Sequence, residues 1–344
     1  MTPGDLSTLL VWAAMTAFTI ALVAYTVDLA RIAEAAQRRP RQLARVGAGG
    51  VPDGVAAADA GAGAGVARAG GASARAEGIA RTTTALGIVF LLAGVVLRGI
   101  AAGHWPTANM YEFTLVGVLA ASAVLVVVQR RRFIAFLGVA VLGIGVLALA
   151  MALLVFYVRA DAVQPALQSY WLVLHVGVAI TATGVFTVAV AASVLQVLSA
   201  ARAEGRSHLS APWARADGVR RALAPWQVTG PRFAWLRQVP DARNLEALAF
   251  RLNAVGFVLW TFTLIGGAIW AEHAWGRYWN WDPKEVGTFV AWVVYAAYLH
   301  ARTTRGWSGR RAAYLVFIGY GVVIANFTVV NLYVSGLHSY SGLR

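Results

Sequence analysis

The strongest constraint on this chain is a recurrence of apolar runs, each long enough to cross a lipid bilayer as a helix. A hydrocarbon core of about 30 Å needs roughly 20 apolar residues in helical form. Eight such segments occur, at 9–30, 86–102, 113–128, 133–158, 170–198, 249–270, 286–301 and 312–334. Backbone amides in lipid must be satisfied within the protein, and runs of this length do so as helices. The expected fold is therefore all-α, a polytopic integral membrane protein with about eight transmembrane helices. A mean hydropathy of +0.64 is too high for an ordinary soluble domain of this size. The first run has no basic stretch before it and no small-residue cleavage motif before Asp28 and Arg31, so it reads as a retained span.

Charge orders these spans. The net charge of +14 rests on 28 arginines and a single lysine, Lys284, against 15 acids. The stretches after spans one, three, five and seven hold 8, 3, 8 and 4 arginines, and the alternate stretches hold few. Arginine-rich loops stay in the cytoplasm. The expected organisation is a first helix at 9–30, a flexible Gly/Ala-rich cytoplasmic loop at 31–84 and helices two to five within 85–198. A second cytoplasmic loop at 199–247 and helices six to eight within 248–334 follow, with an external tail at 335–344. Both termini and the tryptophan-rich loop at 270–285 then face outward. Because the basic residues follow the membrane pattern, nucleic acid is not an expected partner. With no cysteine, the chain has no disulfide, thiolate ligand or thiol nucleophile of its own.

Chemistry concentrates in the sixth loop. Trp270, Trp275, Trp279, Trp281 and Tyr278 lie within a dozen residues, beside His273, Arg277, Asp282, Lys284 and Glu285. One or two such rings would anchor a membrane boundary. This many, in a loop broken by Gly276 and Pro283, form a flat apolar platform with charged edges, suited to a large planar ligand carrying carboxylates. The histidines take depths from the topology. His175 enters span five from outside, His338 lies just beyond span eight, and His104 and His273 are in outer loops. His300 is about 22 Å deeper than Glu285 if the segment is helical. Histidines in or near spans are functional candidates, with interhelical hydrogen bonding as the alternative. Two imidazoles converging outside would make a haem-iron pair. His300 lies too deep to join them, so it is either structural or completed by another polypeptide. A non-haem metal such as zinc is not expected, since no donors cluster at ligand spacing. Arg98, near the outer end of span two, would snorkel or meet an acidic group.

The motif WGRYWNWDPKEV at 275–286 resembles the tryptophan-rich signature of haem-handling proteins of cytochrome c biogenesis. The chain as a whole is similar to the CcsA/ResC-type subunit (often labelled CcsB in actinobacteria) of the system II pathway. The likeness extends to NMYE at 109–112, LHV at 174–176, YLH at 298–300 and GLHSY at 336–340. It implies that haem b (iron protoporphyrin IX) is held outside by His175 and His338 as axial ligands. His300 would be one ligand of a haem lower in the membrane, shared with a ResB/Ccs1-type subunit. Trp275, Tyr278, Trp279, Trp281 and Asp282 would form the haem platform, and Arg98, Arg277 and Lys284 are candidates to meet propionates. Asn109, Tyr111, Glu112, Pro283 and Glu285 would support the site. The implied activity is to bring haem to the external face of the plasma membrane and promote its thioether attachment to the CxxCH motif of apocytochrome c. Thiol-reducing proteins would act on the same substrate. The long segments at 31–84 and 202–243 depart from the family pattern. A small-solute transporter and a non-catalytic assembly scaffold are the competing readings.

Overall fold

The computed structural model describes residues 1–48, 55–130, 134–160, 169–210 and 217–338, with the side chains of 35–73 and 238 left aside. Residues 49–54, Arg131, Arg132, Asp161, Arg215 and the tail from 339 to 344, all within segments assigned from sequence, lie outside the described residues. The described chain is helical throughout. Its long helices are α1 (Pro3–Ala48), α2 (Val55–Ala102), α3 (Met110–Gln129), α4 (Ala135–Leu154) and α5 (Tyr170–Ala203). After the short α6 (Asp217–Ala222) come α7 (Ala242–Trp275), α8 (Pro283–Thr304) and α9 (Arg310–Ala325). A π-helical turn, Asn326–Val330, leads into the single-turn α10 (Asn331–Tyr333).

Seven of these helices are long and apolar enough to cross a membrane, the last running from α9 through α10. The remaining expected span, the seventh in order at 286–301, is α8. Its 22 residues reach about 33 Å at helical rise, but Lys284, Glu285, His300 and Arg302 make it more polar than the others. The protein is a multi-pass membrane protein of all-α architecture.

Packing follows the chain. α1 lies along α2, α5 lies along α7, and α8 packs mainly on α9. Phe18, Tyr25, Leu91, Leu115, Leu142 and Leu195 join α1 to α5 in one buried cluster. A second cluster pins α8: Tyr295 stacks on Phe186 with ring centroids 3.9 Å apart, next to Trp260.

The connecting segments carry structure of their own. Most of the stretch at 31–84 is helical, because α1 continues to Ala48 and α2 begins at Val55. Alanine, abundant here, is the strongest helix former and outweighs the interspersed glycines. The segment after α5 is tied to the bundle. Arg202 donates to the carbonyls of Val228 and Gly230 at 2.6 and 3.0 Å. Trp235, buried, stacks on Phe136 of α4 at 5.1 Å.

Helix caps gather at one end of the bundle. Asn109 caps α3, Ser169 caps α5, Asp282 caps α8, and α7 stops at Gly276. That end carries the tryptophan-rich loop and the segment leading to His338.

Candidate functional site

The WDPKE segment is first a helix start. Asp282 is the N-cap of α8, Pro283 takes the first helical position, and Glu285 completes a capping box. Glu285 Oε2 accepts from the backbone N–H groups of Asn280 and Asp282 at 2.9 and 3.1 Å. This satisfies donors that a helix N-terminus otherwise leaves open. Asp282 does more than cap. Besides the Lys284 amide at 3.0 Å, it accepts from the Leu337 amide at 2.6 Å and from His338 Nδ1 at 2.8 Å. Burial pushes its carboxyl pKa up, but the His338 and backbone hydrogen bonds outweigh that and leave it below the usual carboxylate value. The carboxylate thus binds the loop, the helix start and the returning tail together. Gly336 permits the approach, since a Cβ there would meet Asp282 Oδ2 at 2.4 Å.

His175 is held in a parallel way. Its Nδ1 lies 2.8 Å from the Thr263 carbonyl of α7. A carbonyl can only accept, so Nδ1 carries the proton and Nε2 keeps its lone pair. The carboxylate partner of His338 imposes the same tautomer there. Protonated Nδ1 on a carbonyl or carboxylate, with Nε2 left for a metal, is the usual outer support of a ligating histidine. Gly267 makes room for the ring, as a Cβ there would come within 2.7 Å of His175 Cε1.

Trp270 links the two imidazoles. It is 1% exposed, stacks nearly parallel to His175 at 6.2 Å and meets His338 at 5.6 Å. Trp275 packs edge-on against both Trp270 and His338, at 4.7 and 5.0 Å. Trp270 and Trp275 thus pack around His338, while Tyr278 and Trp279 line a smaller hollow that both histidines also line. Trp281, 73% exposed and in the left-handed region at φ 57°, touches Trp279 but lines neither hollow.

The main cavity is bounded by the starts of α3, α5 and α8, by α7, by the π turn and by His338. Lys284 lines it from the first turn of α8, ahead of the span at 286–301. Its Nζ donates to the Asn326 carbonyl at 2.9 Å and to Asn331 Oδ1 at 2.6 Å. The π turn begins at Asn326, and a local departure from i→i−4 bonding is how a helix presents a carbonyl to a side chain.

Other residues singled out from sequence fall elsewhere. Arg98 neither snorkels nor reaches the cavity. It is buried against Glu112 Oε1 at 2.9 Å, donates to the Arg159 carbonyl and lies over the Tyr111 ring. Of the two expectations for Arg98, meeting an acidic group is the one the structure shows, with Glu112 as that group. Glu112 also accepts from the Ala108 amide, and Asn109 caps the same turn and lines the cavity. NMYE is therefore the brace joining α2 to α3. Arg277 is exposed on the loop. His300 is exposed on α8, remote in sequence from every residue lining the cavities, while its neighbour Tyr298 is buried. His273 is exposed and bonded to the Ile269 carbonyl. Trp270 was visible in the sequence at the end of the sixth span; Thr263, Gly267, Asn326 and Asn331 had no local signal.

A cavity between helix ends, lined by two oriented imidazoles that meet Trp270, is the candidate site of this polytopic membrane protein. Comparison with known proteins gives its family. The family model described as "Cytochrome C assembly protein" matches residues 107–338, which include every segment of the cavity. The chain is similar to the cytochrome c biogenesis protein CcsA of Synechococcus sp. (strain CC9902), with 36% identity covering 76% of this chain and 86% of that protein. Against CcsA of Prochlorococcus marinus (strain MIT 9303) the identity is 34%, over 77% and 84%. Among solved structures it resembles cytochrome c heme lyase CcmF, with a TM-score of 0.56 and 15% identity. That likeness concerns the fold; it covers all of this chain and half of CcmF. The chain belongs to the cytochrome c assembly family, as a CcsA-type cytochrome c biogenesis protein.

Proposed function

We propose that this protein holds haem b in the outer cavity through Nε2 of His175 and Nε2 of His338, and promotes its attachment to the CxxCH motif of apocytochrome c. The observation that carries this reading is the matched state of the two imidazoles. Each has Nδ1 committed to an acceptor, both contact Trp270, and both line the same cavity. Two imidazoles are a normal axial pair for haem iron. The cavity's mostly apolar wall suits a porphyrin, and Lys284 and Arg277 are the cations left to meet its carboxylates. The likeness to cytochrome c biogenesis proteins points the same way.

The reaction adds a cysteine S–H across a haem vinyl group. A C–S and a C–H bond form, the S–H bond and the vinyl π bond break, and no electrons are gained or lost overall. The chain offers no competing thiol, having no cysteine. Its contribution is position: holding the vinyl edges where the substrate's paired thiols arrive is worth most of what such a site can supply. The histidine of CxxCH must finally take one axial place. His338 is the ligand built to yield, since it sits beyond the last helix and its side chain is partly exposed. His175 is enclosed between α5 and α7.

In this reading the cavity and both termini face outward from the plasma membrane, a ResB/Ccs1-type subunit completes the inner histidine site at His300, and thiol-reducing proteins prepare the substrate. The test is the visible spectrum of the purified protein, expected to show low-spin bis-histidine haem. His175→Ala or His338→Ala should abolish holocytochrome c formation, with added imidazole restoring part of it by filling the vacated axial place. An unchanged spectrum and full activity in His338→Ala would overturn the assignment and favour a non-catalytic scaffold.

A further inference from the structure

A second large hollow lies away from the histidines, between α1 and α2, with a volume of about 980 Å³. On α1 it is lined by Thr19, Ile20, Val23, Ala24 and Val27, ending at Arg31; on α2 by Arg75, Ala76 and Ile79. These positions recur at three- and four-residue intervals, so each helix presents one continuous face. The apolar walls are not closed by protein: Ile20, Val23 and Ile79 are 48, 56 and 51% exposed. Both arginines are exposed too, and both stand at the same end of the groove.

Dimensions and charge together select the occupant. From Ile20 to Arg31 the α1 face rises about 16 Å, the depth of one leaflet of a hydrocarbon core of about 30 Å. An apolar groove one leaflet deep, with two guanidiniums where headgroups lie, matches a phospholipid in acyl length and in charge. Guanidinium pairs with phosphate through parallel hydrogen bonds. The lining has no imidazole or other side chain that would ligate iron, which separates it chemically from the outer cavity. We propose that the α1–α2 groove is a binding site for an anionic phospholipid, its phosphate between Arg31 and Arg75 and its acyl chains along Ile20, Val23, Val27 and Ile79. The site depends on neither the haem reading nor the direction in which the chain crosses the membrane.

The experiment is native mass spectrometry of the full-length protein released from nanodiscs of phosphatidylglycerol and phosphatidylcholine. The expected result is retained phosphatidylglycerol in excess of its share of the bilayer. Each basic residue near an anionic surface contributes about five-fold in binding, so Arg31→Gln/Arg75→Gln should lower retention roughly twenty-five-fold. Val23→Trp, which fills the groove and leaves both charges, should also lower it. Arg305→Gln, removing an exposed arginine elsewhere, should leave it unchanged. Helicity by circular dichroism would verify that each variant is folded. Undiminished retention in the double variant overturns the proposal, as does equal loss in Arg305→Gln, which would mean only diffuse attraction to basic loops. Haem in place of lipid, lost with the two arginines while the bis-histidine spectrum persists, would overturn it in favour of a carboxylate-bound porphyrin.

Discussion

Asp282 unites two tasks that substitution can separate. As N-cap it supports α8, and as acceptor from Nδ1 it fixes the tautomer and direction of His338. Asparagine caps helices as well as aspartate does, whereas alanine does not and costs about 1 kcal/mol. Asp282→Asn should therefore leave thermal stability nearly unchanged while weakening haem affinity about 10–100-fold, the usual cost of losing a ligand's outer support. Asp282→Ala should lose both, as haem titration and melting curves on the same preparations would show. The pH sign follows from the lowered pKa of this carboxyl. Its contribution is fully present above the ordinary value of 3.8 and is lost as pH falls through the lower folded-state pKa. Haem release caused by Asp282 should consequently appear only below about pH 4. Release near pH 6 would assign it to the histidines instead.

Among the elements, α7 sets the distance between histidine and aromatic wall. Gly267→Ala places a methyl carbon 2.7 Å from His175 Cε1, so the ring must turn off the Thr263 carbonyl. The expected outcome is a folded protein whose haem spectrum loses part of its low-spin character; an unaltered spectrum would show that α5 and α7 separate freely. The Arg98–Glu112 brace makes a prediction about α2 and α3. Glu112→Gln leaves a buried guanidinium uncompensated, at a cost of about 3–5 kcal/mol, while Arg98→Met/Glu112→Leu should recover most of the lost melting temperature. The same elements show where sequence reading succeeds and fails. Helix number and position were legible because a bilayer imposes length and apolarity on each span separately. Arg98 and Glu112 were both noticed, but their pairing depends on a turn that brings residues 14 apart together. The link from Asp282 to His338 spans 56 residues, and no local pattern announces it. The motif's acids serve a helix end and an imidazole. The π turn at Asn326 has no sequence cue comparable to a proline or a cap.

At the scale of the whole molecule, the predictions concern orientation and partnership. Reporter fusions after residues 60, 220 and 306 should read as cytoplasmic and a C-terminal fusion as external; an external signal at 220 would invert the proposed membrane orientation. His300, exposed on the peripheral α8, should contribute only when a partner subunit is present. Haem per protein should rise on co-expression with a ResB/Ccs1-type subunit, and His300→Ala should remove that increment and spare the outer signal. An identical ratio in both would make His300 structural. The shared Asp282 clamp also has a consequence in time. The cavity's lining begins near Asn109 and ends at His338, so at 5–20 residues per second the ribosome needs roughly 10–45 s to go from one to the other. Throughout that interval Asp282 lacks the imidazole that bonds to it. Under the proposed ligation, a nascent chain therefore offers haem a single axial imidazole until residue 338 has been made.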